Sequence, residues 1–238
     1  MFASAYLRLF GAAHIAIMAA IPAGAAVLAW ATRAYPQSAK PIRSLSAILL
    51  AVAALCWYTF RFRTLHLPPP QGLPLELCDI SLWLSVYSLV RLQQPAFELA
   101  YYWGLSGSVM AVLTPDLIAP LRSFSSIVFF VDHGGLILAI LYLLWSRQMR
   151  PRPQSWKLAF AALNIYAAAI GLFDYLTGTN YFYLRNKPAS ASLLNLMGSW
   201  PYYMIGADLL ALAIFVALSV PFWNRPRPEQ TKAAGEPT

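Results

Sequence analysis

Apolar positions along this chain do not alternate with polar ones. They come in seven long runs separated by short, proline-bearing polar breaks. ILLAVAALCWYTF and LLALAIFVALSV are unbroken, whereas a barrel strand would show apolar and polar residues in turn over about ten residues. The runs lie at about 13–31, 45–60, 75–90, 96–113, 124–145, 156–176 and 202–223, with ends defined to about 2–4 residues. A helix rises about 1.5 Å per residue, so runs of this size approach the ~30 Å of a bilayer core. The pattern therefore predicts an all-α fold, a polytopic transmembrane helix bundle of about seven spans. Six is the alternative, because the run 75–90 opens on Glu76 and Asp79 and also fits a re-entrant segment. The first run continues past the small residues 23–26 to Trp30, which reads as a first span and not as a cleaved leader. The bundle occupies 1–223, and the Pro-, Glu- and Lys-bearing stretch 224–238 reads as a disordered cytoplasmic tail.

Composition supports lipid as the solvent. Of 238 residues, 59% are hydrophobic and 11% charged, about half the charged share of a soluble domain. Mean hydropathy is +0.56. Six tryptophans (30, 57, 145, 156, 200 and 223) fall at the ends of the proposed spans, where indole rings prefer the headgroup level. The net charge of +8 does not indicate nucleic acid, because the basic residues sit singly or in small groups between apolar runs. Counted by side, eleven Lys and Arg fall with the 147–157 connection and the tail, and six on the opposite side. The positive-inside rule then makes the C-terminus cytoplasmic in either topology of a multi-pass protein of the cell membrane. Only the side of the N-terminus depends on whether 75–90 crosses.

Ionisable residues inside spans are costly and read first as functional. In LPLELCDISLWLSVYSL, Cys78, Ser81, Ser85 and Ser88 share one helical face. Close packing of small residues accounts for the serines. Cys78, flanked by Glu76 and Asp79, differs from them. In FFVDHGGLILA, Asp132 and His133 lie well inside an apolar run beside Gly134 and Gly135, a pair that admits a close helix or a substrate. Cys78 and His133 together make a candidate thiol–imidazole pair, in which the imidazole generates the thiolate and later protonates a leaving group. A structural histidine and a Cys56–Cys78 disulfide are the competing explanations. His14 and His66 read as ordinary. Between the sixth and seventh runs, Asp174, Asn180, Tyr181, Tyr183, Arg185 and Lys187 form a polar, aromatic patch. It suits either a phosphate-bearing head group or a plain interfacial belt. Asn164 and Asp208 fit a bond across the bundle. Neither a glycine-rich phosphate loop nor metal-ligand spacing occurs, so no cofactor and no metal are expected.

Four segments in order, LPLELCDISLW, ELAYYWGLSGSVMAVLTPDL, FFVDHGG and DYLTGTNYFYLRNKPASASLL, resemble the successive motifs of the YwaF-like family of integral membrane proteins. The resemblance covers about residues 45–220 and is closest to the bacterial branch. A related animal branch transfers fatty acyl groups between phospholipids, with a membrane-embedded cysteine as proposed nucleophile. The resemblance thus implies a lipid acyltransferase or acyl hydrolase acting on membrane phospholipid, with Cys78 as nucleophile and His133 as base. Asp79, Asp132, Asp174, Asn180, Tyr181, Arg185 and Lys187 are then candidates for contacting substrate. Asn180 or backbone N–H groups would face the oxyanion, and Arg185 or Lys187 the phosphate. Two rivals from other classes are a proton-coupled transporter or small-molecule-binding protein, with Asp79, Asp132 and His133 as a relay, and a scaffold whose polar residues only fix packing. Substrate identity, acyl length and oligomeric state are not encoded in these patterns.

Overall fold

The computed structural model describes residues 7–117, 119–188 and 193–223. The tail expected at 224–238 lies outside them. Every apolar run is helical: α1 (Ala12–Ala34), α2 (Ala39–Arg63), α3 (Leu77–Arg91), α4, α5 (Phe124–Trp145), α6 (Ser155–Thr177) and α7 (Tyr202–Ser219). Helix α4 is composite: Gln94–Leu99 passes through a π turn at Ala100–Gly104 into Leu105–Leu113. No strand occurs among the described residues.

The stop and start signals are local. Ser123 caps α5, its side chain accepting from the Ser126 N–H. Gly178 ends α6 at φ 76°, a backbone that glycine takes without strain. Pro95 sits in the first turn of α4, where its missing N–H costs nothing. Helix α2 begins six residues before its apolar run because its polar first turns bond across the bundle. Arg43 Nε donates to the Leu89 carbonyl of α3 at 3.0 Å, and Nη1 donates to Gln148.

Five helices are long and apolar enough to cross a membrane: Ala12–Ala34, Pro36–Arg63, Phe124–Trp145, Ser155–Thr177 and Tyr202–Phe222. Helix α3, at 15 residues, spans only about 22 Å, and α4 is broken by its π turn, so neither meets that criterion alone. Helix α5 is the hub. Half of its apolar window is buried, against 17% in α1, α6 and α7, and it packs against α1, α2, α3 and the second part of α4. The glycine pair provides two of those contacts. A Cβ on Gly134 would lie 3.0 Å from Ile21 of α1, and one on Gly135 would lie 2.8 Å from Leu50 of α2. Outward-facing Ile48, Val52, Ile165, Leu172 and Leu176 are exposed, an apolar rim that lipid, not water, would cover.

The first part of α4 is anchored by one carboxylate. Glu98 is buried and accepts at Oε1 from Gln94 Nε2 (2.8 Å), Arg152 N (2.8 Å) and Arg152 Nε (3.0 Å). Its Oε2 takes Arg152 Nη2 at 2.8 Å. Beyond it, the π turn points three consecutive aromatics at neighbouring helices. Tyr101 OH donates to the Leu218 carbonyl, Tyr102 OH bonds Ser155, and Trp103 Nε1 donates to the Ala159 carbonyl.

Candidate functional site

Helix α3 starts on a capping box. The Glu76 side chain accepts from the Asp79 N–H, and Asp79 Oδ2 accepts from the Glu76 N–H at 3.2 Å. Cys78 sits between them in the first turn, half-buried, and both cysteines are free thiols. Cys56 is exposed on α2, and no disulfide joins it to Cys78. Asp79 is buried and pairs with Arg61 of α2, 3.7 Å away. Arg61, in the last turn of α2, is itself buried and donates Nη2 to the Gln71 carbonyl. Tyr58 accepts from Trp83 Nε1 at 3.1 Å and stands beside Asp79.

Helix α5 packs against α3, and its Asp132 lies within electrostatic reach of Asp79 and Cys78. Its Oδ1 is buried with no hydrogen-bond partner among the described residues. His133 turns back on its own helix, Nδ1 lying 2.8 Å from the Phe129 carbonyl. A carbonyl only accepts, so Nδ1 carries the proton and Nε2 keeps its lone pair. No hydrogen bond joins Cys78 to His133. The serines of the α3 stripe are buried, and Ser85 and Ser88 bond carbonyls of their own helix, as packing predicts. His14 is fully buried and uses both nitrogens. Nδ1 accepts from Phe10 N–H, and Nε2 donates to the Val112 carbonyl at 2.7 Å.

The polar patch after α6 is largely bonded within itself. Asp174 is fully buried, and its Oδ1 accepts from Thr179 Oγ1 (2.6 Å) and Tyr181 N–H (3.0 Å). Its Oδ2 has no partner among the described residues. Asn180 Oδ1 accepts from the Arg185 and Asn186 N–H groups, and its Nδ2 donates to the Asn186 carbonyl. Tyr181 OH donates to the carbonyls of Pro70 (2.7 Å) and Leu73 (3.0 Å). Burial pushes the Tyr181 phenol above its ordinary pKa, which keeps it a donor. Phe182 N–H reaches Glu76 Oε2 at 3.2 Å, and Tyr166 OH of α6 donates to the Leu75 carbonyl. The loop thus clamps the segment that leads into α3. Phe182 and Tyr183 both take φ near 56°, a left-handed conformation costly for bulky side chains and held only where the surroundings over-determine it. Arg185 Nη1 donates to the Asp174 and Thr179 carbonyls, both at 3.3 Å. The Lys187 ammonium lies 5.3 Å from the centre of the Tyr203 ring. Asn164 and Asp208 bond across α6 and α7 at 3.2 Å.

The structure therefore gathers Cys78, Asp79 and Asp132, with His133 the next residue on α5, and adds Glu76, Arg61 and Tyr58, which sequence reading did not assign to the site. A box of Glu and Asp three apart signals the cap. Nothing local signals that Arg61 turns inward. Among the described residues no group of three His, Cys, Asp or Glu side chains is arranged to hold a metal ion.

An all-helical bundle with five membrane-length helices and an apolar rim defines a multi-pass integral membrane protein. The sequence profile of the TMEM164 family matches residues 9–219, and the chain belongs to that family. No curated protein and no solved structure matches it.

Proposed function

We propose that this protein is a lipid-modifying membrane enzyme, an acyltransferase or acyl hydrolase for phospholipids, with Cys78 as nucleophile and His133 as general base and acid. The observation that carries the reading is a free thiol in the first turn of α3, a helix packed against the hub helix α5, which carries a histidine with an unoccupied nitrogen. First-turn N–H groups and the helix dipole favour an anion there. The carboxyl groups of Glu76 and Asp79 flank the thiol, so its proton must pass to a base as it attacks. Nε2 of His133 is the base in this reading, and reaching the thiol directly or through one water requires closure upon substrate.

The thiolate attacks the ester carbonyl, and the new C–S bond forms as the alkoxide leaves with the proton carried by His133. A lysophospholipid hydroxyl, or water in the hydrolytic case, then gives its proton to Nε2 and attacks the thioester, returning the acyl group and restoring the thiol. The bacterial branch suggested by the motifs, seven crossings including α3 and α4, a cytoplasmic C-terminus and a place in the cell membrane belong to the same proposal.

The test is exchange of acyl chains in reconstituted vesicles. Cys78→Ala, Cys78→Ser and His133→Ala should each reduce exchange at least a hundredfold, and the Cys78→Ala/His133→Ala double variant should be little worse, as for residues acting as one unit. A fully active Cys78→Ala protein would refute the reading. The orphan Oδ1 of Asp132 favours a second reading, proton-coupled transport. That reading predicts a silent Cys78→Ala and a large effect at Asp132.

A further inference from the structure

Helices α6 and α7 leave a groove of about 550 Å³ between them. It is lined by Ala167, Ala168 and Gly171 of α6, by Met204 of α7, and by Leu184 and Trp200 of the connection. Arg185 stands at one end and Asn164 at the other. From Asn164 to Tyr175, the groove follows α6 for about 16 Å. One leaflet of the hydrocarbon core is about 15 Å deep, so the groove has the reach of an acyl chain lying in one leaflet. The Arg185 end lies beside the C-terminus of α6, where a head group would sit. At the other end Asn164 bonds Asp208 of α7.

Charge identifies the occupant. Arg185 is exposed, and its guanidinium bonds two backbone carbonyls through Nη1 alone. The ion pairs among the described residues are Arg61–Asp79 and Arg152–Glu98, so no carboxylate neutralises Arg185. Lys187 adds a second cation, and residues 178–188 contain no acid. A guanidinium with spare donors at the mouth of an apolar slot matches a phosphodiester bearing an acyl chain.

We propose that this groove is a lipid site, which seats one acyl chain of a bilayer phospholipid with its phosphate on Arg185. It is separate from the Cys78 region, because α6 presents a different face to each. Positions 164, 167, 168, 171 and 175 line the groove, whereas Tyr166, on another face of the helix, bonds the Leu75 carbonyl just before α3. The loop has two sides. Leu184 and Arg185 form the groove, while Phe182 and Tyr181 grip Glu76, Pro70 and Leu73. A seated lipid therefore braces the strained loop that positions the start of α3.

The test uses the full chain in lipid nanodiscs and phosphatidylglycerol with a photoreactive diazirine on one acyl chain. A diacylglycerol bearing the same chain is the control. Labelling by the phospholipid probe should concentrate at least fivefold on residues 164–171 and 204, relative to the lipid-facing side of α2 around Ile48. Ala168→Phe, which fills the groove from an exposed position, should remove that excess without lowering the label on α2. Arg185→Gln should reduce phosphatidylglycerol labelling to the diacylglycerol level. Equal labelling of α2 and the groove, or equal labelling by the two probes on the native chain, would overturn the proposal. The native-chain comparison stands even if a variant fails to fold. Cys78→Ala should keep the full excess, so loss of acyl exchange and loss of this site are separable.

Discussion

Breaking the Glu98–Arg152 pair should show how much the fold depends on the one carboxylate that anchors α4. Removing one partner of a buried pair costs about 3–5 kcal/mol, because a charge is left without compensation. Here the two sides are unequal, with Glu98 buried and the Arg152 side chain 57% exposed. Water already screens the guanidinium, which lowers its share. In Arg152→Met the carboxylate keeps Gln94 Nε2 and the residue-152 N–H as neutral donors, so the expected loss is about 2–3 kcal/mol. In Glu98→Met the guanidinium turns to water, and the cost is mainly the unsatisfied N–H of residue 152, about 1–2 kcal/mol. The Glu98→Met/Arg152→Met double variant should be no worse than Glu98→Met, giving a coupling of about 2 kcal/mol. The measurement is reversible unfolding in mixed detergent–SDS micelles, followed by helix circular dichroism, on the four proteins of the cycle. A double variant whose loss equals the sum of the singles within about 0.5 kcal/mol would show that the pair does not lock α4 to the α5–α6 connection.

Gly135→Val should cost about 2–3 kcal/mol, and Gly135→Ala about 1 kcal/mol, since the added carbon meets the buried Leu50 end. Equal stability of Gly135→Val and the parent in the same micelle assay would rule out close α2–α5 packing there. A reporter fused after Thr238 should be cytoplasmic, because the basic residues near α5, α6 and the tail lie on one side. An N-terminal reporter should be exported if α3 and α4 both cross, and a cytoplasmic one would leave an even number of crossings.

The apolar runs revealed where the helices are, because lipid leaves the backbone no other solution. The serine stripe and the glycine pair were also legible, since residue size on a given face implies contact. The π turn in α4 was not, as AYYWG has no periodicity distinct from an α-helix. Arg61 looked like a boundary charge, because its role depends on Asp79 arriving from another helix. In the patch from Asp174 to Lys187, which suits a ligand surface by sequence, Asp174, Asn180 and Tyr181 bond atoms of their own chain. A polar group that bonds its own chain and one that awaits a ligand have the same sequence signature. The two intramembrane histidines show this most clearly. His14 and His133 are the same residue type on apolar helices. His14 has a carbonyl from α4 opposite its second nitrogen, whereas His133 has none. The distinction lies in what the neighbouring helix presents, and no window along the chain encodes it. It is also what nominates a base, because a histidine with both nitrogens engaged must break a buried bond before it can take a proton. His133 takes one on Nε2 and keeps its bond to Phe129. If His14→Ala abolished acyl exchange as fully as His133→Ala in a protein of equal stability, that distinction would carry no chemistry, and the base would have to be sought elsewhere.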